Sequence, residues 1–236
     1  MSLNDTKNNI AVIVQARMGS TRFPGKILEE LMVGETVLSY LLKRLSKCRC
    51  VDKIIVATTT NPKDDILEEW LKRYNYLFYR GSEEDCLDRF CRTCAYFDVG
   101  IIIRITSDSP LVIPEIIDAM IKYYLNNQEE IDYLSNRQYT NFPEGLDVEI
   151  FSRRILEEAA KNSTDQKERE HINYYFLNRD SQYKIRYYNH DLEFDYSRFK
   201  LSIDTPQDLE QARRFFKEKK LPFNFSFQEL ITVLTN

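Results

Sequence analysis

IAVIVQARMGSTRFPGK, residues 10–26, opens on five consecutive apolar residues and closes on a loop that carries three cations. A short unbroken apolar run of this kind reads as a strand buried on both faces, as found inside a parallel sheet. The loop that leaves it interleaves Arg17, Arg22 and Lys26 with Gly19, Ser20, Thr21, Pro24 and Gly25. In parallel α/β sheets, ligands bind beyond the carboxyl ends of the strands, where such a loop sits. Glycines let backbone N–H groups approach a phosphate, and arginine binds one in bidentate fashion. Lys26 offers a compact charge suited to a leaving pyrophosphate. The segment has neither P-loop spacing nor the glycine triplet of dinucleotide-binding turns. On composition alone, a solvated basic turn remains the plain alternative.

Outward from this loop the chain alternates apolar runs with amphipathic segments. Strands are expected at residues 54–57, 77–79 and 101–105, and helices at 37–45, 63–74, 84–96 and from Pro114. This order predicts a mainly parallel sheet covered by helices on both faces. Beyond residue 131 the pattern loosens. Strand character is read at 146–151, 183–188 and 201–203, two helices are expected after residue 151, and a helix is expected from Thr205 to about residue 219. The whole chain, 1–236, reads as one domain, with an irregular insertion, lid or dimer arm at about 135–195.

The 236 residues are 43% hydrophobic and 30% charged, enough for one large core, and the net charge of -4 argues against nucleic acid as a partner. No stretch reaches the roughly 20 apolar residues of a membrane span, and no secretory pattern opens the chain, so a cytoplasmic address is expected. The cysteines are Cys48, Cys50, Cys86, Cys91 and Cys94, an odd number that does not read as a disulfide framework. The Cys48-Arg49-Cys50 pair and the Cys91-Arg92-Thr93-Cys94 spacing raise a zinc site, but on a helix Cys91 and Cys94 favour a core face.

The quoted loop resembles the signature of the CMP-sugar synthetases, most closely of the SpsF-like spore-coat polysaccharide biosynthesis proteins. RGSEEDCLDRF (80–90), RITSDSPLV (104–112), FPEGLDVEIF (142–151), REHI (169–172) and LSIDTPQDLE (201–210) resemble that family's blocks in the same order. The resemblance implies an α/β fold, the Rossmann-like nucleotide-diphospho-sugar transferase fold, with a mainly parallel mixed sheet flanked by helices. It implies a nucleotidyltransferase that moves CMP from CTP to a sugar, a sugar acid foremost, and releases pyrophosphate. It also implies Mg²⁺ as cofactor and, with the aromatic second half, a homodimer. Carried onto this sequence, Gln15, Ala16, Arg17, Gly19, Ser20, Arg22, Lys26 and Arg104 would bind the nucleotide. Arg17, Lys26 and Asp108 would be catalytic, and Asp108 and Asp204 would hold the metal.

Asp147, Glu149, Glu170 and His171 would face the sugar on the same resemblance. Asp147 and Glu149, two apart, share one face if the segment is a strand. Plain structural readings stand beside these. Asp204 in Asp-Thr-Pro suits a helix cap, and Asp85 and Asp88 suit a helix N-terminus. Tyr174, Tyr175, Tyr187 and Tyr188 read first as core or interface. Phe23 stands where the family usually has leucine, and Ser107 and Ser109 where glycine and cysteine are common. Two rivals remain at this stage: a glycosyltransferase of the same general fold, which usually carries Asp-X-Asp, and a non-catalytic paralogue. Asp204 and Asp208 do not have Asp-X-Asp spacing.

Overall fold

The computed structural model describes residues 9–189 and 194–235. His190, for which the sequence supplies no role, lies outside the described residues. The chain runs β1 (Ile10–Gln15), β2 (Glu30–Met32), β3 (Glu35–Thr36), α1 (Val37–Leu45), β4 (Lys53–Thr59), α2 (Asp65–Arg73), β5 (Leu77–Gly81), α3 (Cys86–Phe97), β6 (Ile101–Thr106) and α4 (Pro114–Asn126). It continues through β7 (Tyr133–Ser135), β8 (Glu149–Ser152), α5 (Arg153–Asn162), α6 (Gln166–Glu170), α7 (Ile172–Leu177), β9 (Ile185–Tyr187), α8 (Pro206–Lys219) and α9 (Phe227–Thr235).

One seven-stranded sheet has the order β5-β4-β1-β6-β8-β7-β9, and β2 and β3 form a separate hairpin. Strands β5, β4, β1 and β6 are parallel, whereas β8 runs antiparallel between β6 and β7. The strand order reverses beside β1. The loops after β1 and β6 therefore part there and leave a crevice, the usual ligand position in an open α/β sheet.

Strand period places alternate residues on opposite faces. Val12 and Val14 pack on one side with α1, α2, α4, α8 and α9, while Ala11 and Ile13 pack on the other with α3, α5 and α7. Cys86 and Cys94 are buried in the second cluster beside Leu87 and Phe90, and Cys91 packs against it. Burial pushes the Cys91 thiol up to about 12 and raises that of Cys94 as well. These are inert core thiols.

The second half departs from expectation in instructive ways. Among the described residues of the stretch expected to be irregular, β7, β8 and β9 belong to the same sheet. The strand expected at 201–203 is not one. That segment crosses the sheet edge, where the Leu201 N–H donates to the Glu144 carbonyl at 2.7 Å and the Ile203 N–H to the Asp108 carbonyl at 2.8 Å. Gly145, at φ +95°, permits the crossing, because a Cβ there would stand 2.5 Å from the Ser202 nitrogen. Sequence reading also passed over α9, which buries Phe227, Leu230 and Ile231.

Candidate active site

The loop after β1 is built chiefly by backbone contacts. The Ala16 N–H donates to the Ala57 carbonyl, and the Gly25 N–H donates to the Met18 carbonyl at 2.9 Å, which closes the intervening turn. Gly25 lies in the left-handed region at φ 76° and hands the chain into a short 3-10 turn that starts at Lys26. Asp64, only 1% exposed, anchors the loop from the side. Its carboxylate accepts the Met18 N–H at 2.6 Å, the Thr59 N–H at 3.1 Å and both Thr58 and Thr59 hydroxyls. The sequence reading missed Asp64. Its signal was weak: an acid two residues beyond a capped Asn61-Pro62 turn. Gly19 and Ser20 are half-buried, and a Cβ on Gly19 would lie 3.1 Å from Glu83 Oε1.

Each cation of the loop is paired with an acid from a distant part of the chain. Lys26 is buried, and its ammonium donates to Asp108 Oδ2 at 2.8 Å, to the Ile203 carbonyl at 2.7 Å and to Asp204 Oδ1 at 3.3 Å. Those bonds use all of its N–H donors. Arg22 donates to Asp204 Oδ1 at 2.8 Å, and Arg17 lies 3.5 Å from Glu170 Oε1. The crossing segment 201–203 is what brings Asp204 here.

Asp204 does not cap α8. Thr205 does, with Asp208 closing a capping box, so the Asp204 carboxylate is left to face the cations. Burial pushes that carboxyl up, but Lys26 and Lys200 outweigh burial and hold it below the usual carboxylate range. Burial likewise opposes ionisation of Asp208, yet Lys200 and the Asp204 and Thr205 N–H groups lower its carboxyl to about 2.

Beneath the crevice lies a second ionic contact of another kind. Arg104 on β6 and Glu149 on β8 are register partners, and their side chains form a buried ion pair. Arg104 also donates to Gln15 Oε1 from Nη2 at 2.9 Å and from Nε at 3.2 Å. Arg104 is 7% exposed and Glu149 3%. Arg104 reaches the loop after β1 through Gln15, and Glu149 lines a small pocket with Arg137, Asn173 and Tyr187. Strand parity turns both inward over Tyr133. Asp147 precedes β8, so strand alternation does not govern which way it faces. It is half-buried, 4.0 Å from Arg137, and burial pushes its carboxyl up to about 6 despite that arginine.

The sequence profile of the family described as Cytidylyltransferase matches residues 11–231. The chain belongs to the cytidylyltransferase family. It is 31% identical to the spore coat polysaccharide biosynthesis protein SpsF of Bacillus subtilis, over 96% of this chain and 94% of that one. Among solved structures, a cytidylyltransferase from Leptospira borgpetersenii superposes with a TM-score of 0.89 at 33% identity, covering 96% of this chain and 94% of that chain. A CMP:2-keto-3-deoxy-manno-octonic acid synthetase complexed with CTP shares the fold at a TM-score of 0.69 and 16% identity, covering 89% of this chain and 99% of that one.

In this cytidylyltransferase the remaining candidates lie on either side of the loop. Arg169 donates to Asp85 at 2.7 Å and to the Ala160 and Ser163 carbonyls, which pins α6 to the start of α3 and so carries Glu170 to Arg17. Asp85 is thus a cap and an ion-pair partner at once, while Asp88 pairs with Arg92. His171 is exposed, its ring 5.1 Å from that of Tyr174. Tyr175 is buried and Tyr174 exposed.

A cavity of about 610 Å³ opens at the carboxyl ends of β4 and β5, lined by Thr60, Asn61, Tyr79, Ser82 and Glu83 among others. Gly81 is required at its wall, since a Cβ there would stand 2.9 Å from Arg89 Cγ. A second cavity, about 750 Å³ between α1, α4 and Phe223–Phe225, shares no residue with the site. Among the described residues no helix is long and apolar enough to cross a membrane.

Proposed function

We propose that this chain transfers CMP from CTP to a sugar acid for surface polysaccharide synthesis, using Mg²⁺ held by Asp108 and Asp204. The observation that carries this reading is the meeting of Lys26, Arg22, Asp108 and Asp204 in the crevice beside β1.

The two carboxylates suit Mg²⁺. Both present hard oxygens to one cation, the Lys26 ammonium, at 2.8 and 3.3 Å. Among the described residues no group of three or more acidic, histidine or cysteine side chains is placed to hold a metal. A site of two carboxylates matches an ion that takes one or two from the protein and completes its shell with phosphate oxygens and water. When bound, that ion neutralises phosphate charge and helps orient the α-phosphorus.

The chain's own residues do the remainder. Backbone N–H groups of the loop at Gly19 and Ser20, with Arg17 and Arg22, hold the phosphates. Lys26, released from its carboxylates, meets the charge that grows on pyrophosphate as the sugar hydroxyl attacks and the α–β phosphate bond breaks. Positioning and charge stabilisation account for such a reaction.

Substrate parts then run along the sheet edge in order. The base takes the cavity beyond β4 and β5, the phosphates lie over β1, and the sugar lies toward β8 and β7. At that last end Arg137 and Asp147 are among the polar groups open to solvent, and Arg137 suits a sugar carboxylate. A second copy of the chain would dock on the exposed aromatics Tyr139, Tyr174 and Phe194, which light scattering would detect as a dimer.

The test is pyrophosphate release from each of the four ribonucleoside triphosphates with Mg²⁺ and a panel of sugar acids and phosphosugars. Release that needs CTP and one sugar acid is expected. No release from any pair, together with no CTP binding by calorimetry, would overturn the reading.

A further inference from the structure

The buried Arg104–Glu149 pair lies outside the catalytic chemistry proposed above, yet it touches the site through one atom. Arginine carries N–H donors only, so the side-chain amide it holds must turn its oxygen inward. Gln15 Oε1 accepts both the Nε and Nη2 donors of Arg104, at 3.2 and 2.9 Å. Its NH₂ group therefore points away from the arginine, and among the described residues it has no hydrogen-bond partner. An amide in solvent rotates freely between donor-out and acceptor-out, whereas here the buried pair fixes one choice. Gln15 is the last residue of β1, and its carbonyl accepts the Ser107 N–H at 3.1 Å. The amide is thus set between the phosphate loop, which starts at the next residue, and the segment that carries Asp108.

The resemblance already sets Gln15 at the nucleotide; we infer that its amide is locked there as a donor, and that Arg104 and Glu149 are its positioning residues. Its NH₂ donates to an oxygen of the bound nucleotide. Glu149 in turn holds Arg104 in place, which is why an ion pair is retained where apolar side chains would fill the sheet equally well. The inference rests on the CTP reading given above.

Calorimetric titration with CTP and Mg²⁺ tests it on four proteins: wild type, Gln15→Glu, the double variant Gln15→Glu/Glu149→Gln, and Arg104→Lys. Gln15→Glu still gives Arg104 an inward oxygen but has no N–H to present. The double variant moves the carboxylate from one partner of Arg104 to the other and keeps the charge. Both are expected to bind CTP at least about tenfold more weakly, about 1.4 kcal/mol, with melting temperatures near that of wild type. Arg104→Lys holds the amide with a single point charge and should weaken CTP several-fold. Wild-type affinity in both Gln15→Glu proteins would overturn the lock. Recovery of affinity in the double variant alone would overturn it too, by showing that charge rather than the donor matters. A wild-type protein that binds no CTP would instead overturn the functional reading on which the inference stands.

Discussion

Two ionic clusters meet near the carboxyl end of β6, one through Arg104 on the strand and one through Asp108 just beyond it, and their acids differ in access to water. Lys26 is as buried as Arg104, but it meets Asp108 and Asp204 at the rim, where the carboxylate side chains are 26% and 12% exposed. Arg104 meets Glu149 below the rim, with both side chains under 10% exposed. A charge near water can exchange its partner for a phosphate or a metal at modest cost, because solvent supports the intermediate arrangements. A buried pair cannot, since freeing either partner strands a charge in the core. On the proposed function, the difference gives them separate tasks: the upper cluster would exchange ligands, and the lower one would keep the frame rigid meanwhile.

The sharpest break in this comparison is Glu149→Ala, which strands Arg104. A loss of about 3–5 kcal/mol is expected, read by denaturant unfolding. A change below about 1 kcal/mol would mean the lower pair is not the structural element described. Lys26→Ala should do the reverse, lowering kcat by about 10²–10³ while the fold survives, because Asp108 and Asp204 retain water and Arg22. Unchanged turnover would remove Lys26 from the chemistry. Asp64→Ala should be milder, about 1–3 kcal/mol from buried donors left unpaired, with CTP affinity reduced as the loop loses its anchor. Loss of stability with no change in CTP affinity would reduce Asp64 to a turn residue.

The smallest effect is one of pH. Burial lifts the Asp147 carboxyl to about 6, against about 3.9 when unfolded. Between these values the folded chain holds a proton that the unfolded chain has released, so this group's contribution to stability rises as pH falls through that window. Asp147→Asn is therefore expected to raise the melting temperature at pH 8 and to leave it nearly unchanged at pH 4. The opposite order would show that Asp147 gains more from Arg137 than it loses by burial.

The parallel half of the sheet was legible because each strand is an apolar run and each helix has a cap or a proline at its start. The loop cations were legible for a similar reason, since Arg17, Arg22 and Lys26 follow a buried strand directly. What escaped depends on contacts between distant segments. Nothing local in LSID says that residues 201–203 cross the sheet edge instead of joining it. The pairing of Arg104 with Glu149 was not legible, because it requires β8 to run antiparallel beside β6, which no spacing within either segment reveals. Helix α9 is a different case: Ser226 and Glu229 cap its start reciprocally, and that signal was present in the sequence.

The central claim is that the upper cluster exchanges partners while the lower one stays. A crystal structure of the wild-type protein with CTP and Mg²⁺ tests it most directly. The account predicts Lys26 on the phosphates, Mg²⁺ on Asp108 and Asp204, and Arg104 still bonded to Glu149 and Gln15. Lys26 still lying between the two carboxylates beside bound CTP, or Arg104 drawn up onto the nucleotide, would contradict it.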